Sequence, residues 1–364
     1  MTQIDQQGRG GAATPPPLRI LRKAASAGLA MMRPAAALAV ALFCGTVLLG
    51  LNGFDGISVM IGMVFGVFQD MRSVSEVLLK AVPLILIGAG LCVAFRCRMW
   101  NIGAEGQFYA GAVAATFAGV SVEGLTAWLY VPLITLAGAL GGAFWGGIAG
   151  YLKVRFQASE IVTTIMLNYI ALIATSYLVT GPMKDAQAAY PQSARLFREA
   201  WIPNLIPGTR LHVGILVALV LALALYVFLY RSSAGYAMRV VGINPFAAAY
   251  AGIRTRGNMV AAMCISGGMA GLAGAFEVAG VTRRLYQSIS PGYGFEGIAV
   301  ALLAGNNPLG AILSGGLFAV LRSGAELMQI TSQVPQVLVL VIQGIVILSV
   351  VAFAAIRWQP WRKG

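Results

Sequence analysis

Residues 77–95 read VLLKAVPLILIGAGLCVAF, nineteen positions with one charge, Lys80. As helix this stretch rises about 28 Å at roughly 1.5 Å per residue, close to the ~30 Å of bilayer hydrocarbon. It shows no alternation of apolar and polar positions, so it is not a strand of a membrane barrel. Similar apolar blocks of seventeen to twenty-five residues recur along the chain, which has 364 residues, 59% hydrophobic and 10% charged. A soluble domain carries about 25% charged residues, and no single soluble core of this length buries so much apolar side chain. The sequence predicts an all-α, polytopic helical membrane protein.

About ten spans follow from the pattern, over 35–51, 77–95, 104–120, 128–151, 161–181, 213–230, 259–280, 295–305, 308–326 and 334–355. The eighth is too short to cross alone and must be a half-helix packed against protein, because irregular backbone cannot face lipid. Residues 1–33, with Pro15 to Pro17, read as a disordered cytoplasmic tail, and 34–364 as one transmembrane domain. With the N-terminus inside, Arg9, Arg19, Arg22, Lys23, Arg33, Arg96, Arg98, Lys153, Arg155, Arg231, Arg239, Arg254, Arg256, Arg357, Arg362 and Lys363 fall on the inner side. The outer side holds half as many basic residues, which places both termini in the cytoplasm. The net charge of +13 is thus concentrated in short segments between apolar blocks and does not form a nucleic-acid surface.

Five spans (34–181) precede an outer loop, 182–212, and five (213–355) follow it. An odd number per half makes the second half enter from the opposite side, which predicts two inverted five-helix halves. Gly103-Ala104-Glu105-Gly106 opens the third span and Gly294-Phe295-Glu296-Gly297 the eighth, each after an arginine pair, Arg96/Arg98 and Arg283/Arg284.

Three features carry candidate chemistry. In the segment 231–258, Asn244 is a helix N-cap, Pro245 suits the first helical position and Gly252 a left-handed stop. A helix this short needs something to dock against, either a partner protein or the lipid headgroups. In Arg96–Gln107, free N–H groups at a helix start could hold a polar ligand atom. Asn101, Glu105 and Gln107 could bond hydroxyls or a base edge, and Trp100 could stack on a ring; the other reading is an ordinary capped turn. Asn168, mid-span, faces either a pore or a neighbouring helix. Among ionisable groups inside spans, Arg322 and Glu326 stand four apart and are expected to pair. Glu277 lies near a span end, where water is in reach, and Glu296 opens the half-helix. Trp100, Asn101, Glu105, Gln107, Asn168, Phe295 and Glu296 are the candidate substrate-path residues. The sequence has no GxxxxGK[ST], no HExxH and no nucleophile–base set, so catalysis, ATP hydrolysis included, is not expected. Cys44, Cys92, Cys97 and Cys264 read as small apolar residues, the lone His212 makes no metal cluster, and no cofactor is called for.

These segments resemble the permeases of bacterial ABC importers for nucleosides and simple sugars, a group related to ribose and branched-chain amino acid permeases. The matching stretches are 100–107 (WNIGAEGQ), 160–170 (EIVTTIMLNYI), 235–245 (GYAMRVVGINP) and 294–303 (GFEGIAVALL) running to Asn307-Pro308-Leu309-Gly310. NIGAEGQ and TIMLNYI are similar to the nucleoside branch; Ala304-Gly305-Asn306-Asn307-Pro308 departs from the expected Gly-Arg start, which leaves no basic residue near 305. The resemblance implies a subunit of the bacterial cytoplasmic membrane working by alternating access, with nucleoside cargo or, alternatively, a pentose-type sugar. It implies a second permease, an ATPase with duplicated nucleotide-binding halves, and an external substrate-binding protein. It also assigns 244–252 to ATPase docking, with Tyr236, Arg239, Asn244, Pro245, Phe246, Tyr250 and Arg254 as coupling residues. A secondary transporter without an ATPase is the rival of a different class, and it would not need that docking helix.

Overall fold

Helices make up about three quarters of residues 39–355, the part that the computed structural model describes, with no extended strand among them. The expected tail, 1–33, and the basic residues near the C-terminus lie outside the described residues. In chain order the helices are α1 (Ala39–Leu51), α2 (Gly56–Phe65), α3 (Met71–Arg96), α4 (Ala104–Ser121), α5 (Ala127–Phe156), α6 (Glu160–Thr180) and α7 (Gly214–Arg231). They continue as α8 (Ser233–Ile243), α9 (Pro245–Tyr250), α10 (Thr255–Phe276, extended by a π-turn to Thr282), α11 (Tyr293–Leu303), α12 (Pro308–Ser332) and α13 (Gln336–Ala355).

Six of these are long and apolar enough to cross a membrane: α3, α5, α6, α7, extended α10 and α12. The half-helix expected at 295–305 is the eleven-residue α11. Two helices were not anticipated. The apolar run of α2 is too short to register as a span, and α8 is polar enough to read as loop although Ser232 caps it, its hydroxyl accepting from the Gly235 N–H at 3.0 Å.

Helix α3 is the axis of the bundle, with 89% of its most apolar window buried. It packs against α7, α10, α11 and α12, while α10 packs against α3, α4 and α5. Left-handed residues recur at matching places. Arg98 follows the end of α3 and Arg283 that of α10, both at φ 59°; Gln157 ends α5 and Gln333 ends α12.

The α5–α10 contact is backbone on backbone. A Cβ on Gly142 would overlap the Gly267 carbonyl oxygen, and one on Gly271 the Gly138 carbonyl oxygen. Without a hydrophobic drive in lipid, such close approach of small residues is what holds helices together.

The segment between α6 and α7 folds over one end of the bundle through isolated bridges, Lys184 with Ser193 and Asn204 with His212. His212 is buried there, its Nδ1 accepting from the Gly214 N–H at 3.0 Å and its ring edge-on to Phe276 at 6.0 Å. Burial pulls the imidazole from 6.5 down to about 4. Above pH 6.5 both folded and unfolded chains hold it neutral. Below that, the unfolded chain takes up a proton that the buried ring refuses, so stability falls as the pH drops. The full loss is roughly 3 kcal/mol by pH 4. Thermal unfolding of purified protein between pH 7 and 4 is expected to show this decline, and His212→Asn, which keeps an acceptor for the Gly214 N–H, to flatten it.

Candidate functional site

Helices α4 and α11 begin inside the bundle and their N-termini touch. The Gly294 N–H donates to Glu105 Oε2 at 2.7 Å, so a carboxylate on one helix start neutralises the positive end of the other. A Cβ on Gly294 would overlap the Glu105 backbone, which is why the second position of this contact is glycine.

Around that contact the turn 97–103 is held by side-chain amides. Asn101 and Gln107 exchange reciprocal hydrogen bonds of 2.8 and 2.9 Å. Asn101 also donates to Ser266 Oγ at 2.9 Å and accepts from the Gly103 N–H at 3.0 Å. From α6, Asn168 reaches across, its Oδ1 accepting from the Gly106 N–H at 2.8 Å and its Nδ2 donating to the Ile102 carbonyl at 2.9 Å. Asn101, Glu105, Gln107 and Asn168 are therefore brought together in one buried network, each bonded to protein. Trp100 and Phe295 stand apart from it, 45% and 50% exposed, with Trp100 against Phe95 at 5.1 Å.

Glu296 pairs with Arg322, not with solvent. This corrects the expected Arg322–Glu326 pair: Arg322 points into the α11 interface, and Glu326 instead pairs with Lys80 of α3. A guanidinium that is buried takes a desolvated partner across the interface, because an unpaired buried charge costs far more than a lost surface pair gains. Arg322 also donates to the Pro291 carbonyl at 3.2 Å and lies 4.9 Å over the Tyr293 ring. Ser290 completes the clamp, its hydroxyl accepting from the Gly292 and Tyr293 N–H groups at 3.1 and 3.2 Å. Sequence reading missed Ser290, although a serine followed by Pro-Gly can hold a turn by accepting from the backbone N–H groups that follow it. Glu277 is half-buried where α10 passes into its π-turn.

At the far end of α11, Gly305 and Asn306 are both left-handed. Their carbonyls accept from Arg96, at 3.0 and 2.9 Å. The basic group absent from the chain near residue 305 is thus supplied by the end of α3.

Within 231–258 the short helix α9 folds as its residues predict, within a residue or so. Asn244 Oδ1 accepts from the Phe246 and Ala247 N–H groups at 3.0 and 3.1 Å, Pro245 opens α9, and Gly252 is left-handed at φ 78°. Ala248 anchors α9 against a buried cluster with Met238, Val241 and Cys97. Its other face is bare: Phe246 is 78% and Tyr250 95% exposed, with Ile243 at the end of α8 79% exposed. Tyr236 is exposed on α8, and Arg239 lies 5.2 Å over Tyr230 and 5.8 Å over Tyr236. Arg254, exposed, precedes α10.

Among known families, the model for the permease component of the branched-chain amino acid transport system matches residues 73–351. The chain belongs to this family. It is similar to a guanosine ABC transporter permease protein of Bacillus subtilis, 37% identical over 332 residues, covering 90% of this chain and 95% of that one. A glucose ABC transporter permease protein of Haloferax volcanii is 35% identical, covering 91% and 89%. A nucleoside ABC transporter permease protein of Lactococcus lactis is 30% identical, covering 88% and 90%. No solved structure matches. As an ABC permease, the chain is a membrane transport subunit, and its family works with an ATPase and a substrate-binding protein.

Proposed function

We propose that this permease imports nucleosides across the bacterial cytoplasmic membrane by alternating access, driven by a partner ATPase. The reading rests chiefly on the 37% identity that runs through 95% of a guanosine permease. The glucose permease at 35% keeps a simple-sugar cargo as the second reading.

The proposed topology is about ten spans with both termini cytoplasmic, in two inverted halves, 34–181 and 213–355, joined by the outer loop 182–212. Support comes from the contact plan, in which α3 meets α10, α11 and α12 as α10 meets α3, α4 and α5. The matched left-handed Arg98/Arg283 and Gln157/Gln333 fit the same scheme. In this reading Asn101, Glu105, Gln107 and Asn168 fix the half-helix starts, Glu296 fixes α11, and Trp100 and Phe295 offer exposed aromatic faces to a nucleobase.

The bare face of α9 is the proposed seat of an ATPase with duplicated nucleotide-binding halves, beside a second permease and below an external binding protein. Tyr236, Arg239, Asn244, Pro245 and Arg254 shape and flank it, and Phe246 and Tyr250 are its anchors. Aromatic anchors of this kind each contribute about 2 kcal/mol or more to an interface, a tenfold effect or greater. With the permease pair and ATPase in proteoliposomes, Phe246→Ala/Tyr250→Ala is expected to remove ATPase co-purification and ATP-driven uptake of labelled guanosine, with normal membrane insertion. Unchanged uptake in that variant would support an ATPase-independent transporter. Glucose uptake exceeding guanosine uptake in the unmodified complex would overturn the cargo.

A further inference from the structure

At the end of the bundle where α5 and α7 begin and α10 finishes, an apolar groove of about 620 Å³ opens between the three helices. Thr135 of α5, Val217 of α7, and Leu272 and Phe276 of α10 form its walls, and Ile202 and Pro203 its rim. The size is that of a ligand pocket. Helices α5 and α7 are among the least covered of the bundle, with 22% and 28% of their apolar windows buried, so the groove opens toward the side that hydrocarbon would occupy.

The residue beside the rim is Trp201, and its indole carries two guanidiniums, Arg283 at 3.9 Å and Arg195 at 4.6 Å from the ring centroid. Arg283 follows directly on the end of extended α10, beyond Phe276, and Arg195 comes from the segment between α6 and α7, so the two meet over Trp201 beside the groove. Among the described residues neither arginine has a carboxylate within 4.0 Å. Glu199 and Glu123 lie toward Tyr130 and pair with neither. Arg283 Nε is buried without a hydrogen-bond partner, and burial together with the neighbouring Arg195 pulls its guanidinium below the ordinary range. Two like charges gathered on one indole, with a buried donor unengaged, form an arrangement that an anion completes.

We propose that this is a binding site for one anionic phospholipid. The phosphate lies against Arg195 and Arg283, and an acyl chain fills the groove between α5 and α7. A soluble phosphate would satisfy the guanidiniums and leave the groove empty; a zwitterionic lipid would fill the groove and satisfy the charges less well. The lipid ties the segment 195–203 to the end of α10.

Native mass spectrometry of the full-length permease in detergent tests the assignment, with phosphatidylglycerol and phosphatidylcholine of identical chains as competing probes. Both lipids present a phosphate to the guanidiniums, but the choline cation cancels the net charge of phosphatidylcholine and opposes the two arginines, so phosphatidylglycerol is expected to be favoured at least about tenfold. Arg195→Gln/Arg283→Gln should bring that ratio near one while some lipid of both kinds is still retained. Val217→Trp, which fills the groove, should release both. Equal retention by the unmodified protein would overturn the site, as would a ratio unchanged in the arginine variant. Glycerol phosphate displacing phosphatidylglycerol as well as the lipid itself does would show an anion site without a lipid. If the arginine variant does not fold, the unmodified protein and Val217→Trp still decide between these outcomes.

Discussion

Leucine at Gly142 is expected to abolish recovery of folded permease. The Gly142 Cα faces the backbone of Gly267 and Gly271, and even a single added carbon overlaps main-chain atoms that cannot turn aside. Overpacking a core costs about 1–3 kcal/mol when side chains can adjust; here two helix backbones must separate along a seam that also holds Gly138 and Gly146, so the loss exceeds that range. Gly268, on the facing helix α10, provides the control. A Cβ there would meet its nearest atoms at 3.4 Å and 3.5 Å, ordinary contacts, and Gly268→Ala should leave stability equal or raise it by up to about 1 kcal/mol. Size-exclusion profiles and melting temperatures of the two variants measure the contrast. A Gly142→Leu protein melting like the parent would show that α5 and α10 are not in backbone contact.

Breaking the Glu296–Arg322 pair has the second large effect. Both side chains are about nine-tenths buried, at 10% and 9% exposure, and removing one leaves the other charged in a low-dielectric site, a loss of about 3–5 kcal/mol. Arg322→Ala should be the more damaging because the same guanidinium holds the Pro291 carbonyl and covers Tyr293. Glu296→Leu/Arg322→Met, apolar on both sides, should recover most of the stability, while uptake stays impaired if α11 needs that clamp to keep its position. The Lys80–Glu326 pair behaves differently. Glu326 is 52% exposed and Lys80 12%, so Glu326→Gln, which keeps an acceptor for a partly buried ammonium, should cost less than breaking the more deeply buried pair. A double-mutant cycle at each pair separates the two cases, and equal coupling energies would refute the distinction.

These expectations divide along the line between what the sequence discloses and what it hides. The long helices were legible because hydrocarbon demands unbroken apolar runs, and α9 was legible because Asn244, Pro245 and Gly252 act through their own backbone. The half-length of α11 followed from the same span arithmetic. Partners across helix interfaces were not legible. Arg322 and Glu326 look paired on the helix wheel, yet each finds its partner on another helix, and spacing along one helix carries no information about which neighbour lies opposite. The glycine seam was hidden for a similar reason. Glycine is abundant throughout the chain, and only the crossing of α5 with α10 decides which of them are in contact. Asn101, Gln107 and Asn168 stood out as polar groups in an apolar setting, but whether such an amide meets a ligand or protein depends also on partners distant in sequence, Ser266 for Asn101 and Ile102 and Gly106 for Asn168.

The burial of α3 bears on where cargo can travel. A bundle whose axis is filled by one apolar helix has no lumen, and the aromatic faces of Trp100 and Phe295 are left half exposed at its surface. On the proposed pairing with a second permease, a single copy would be one wall of a corridor rather than a tube.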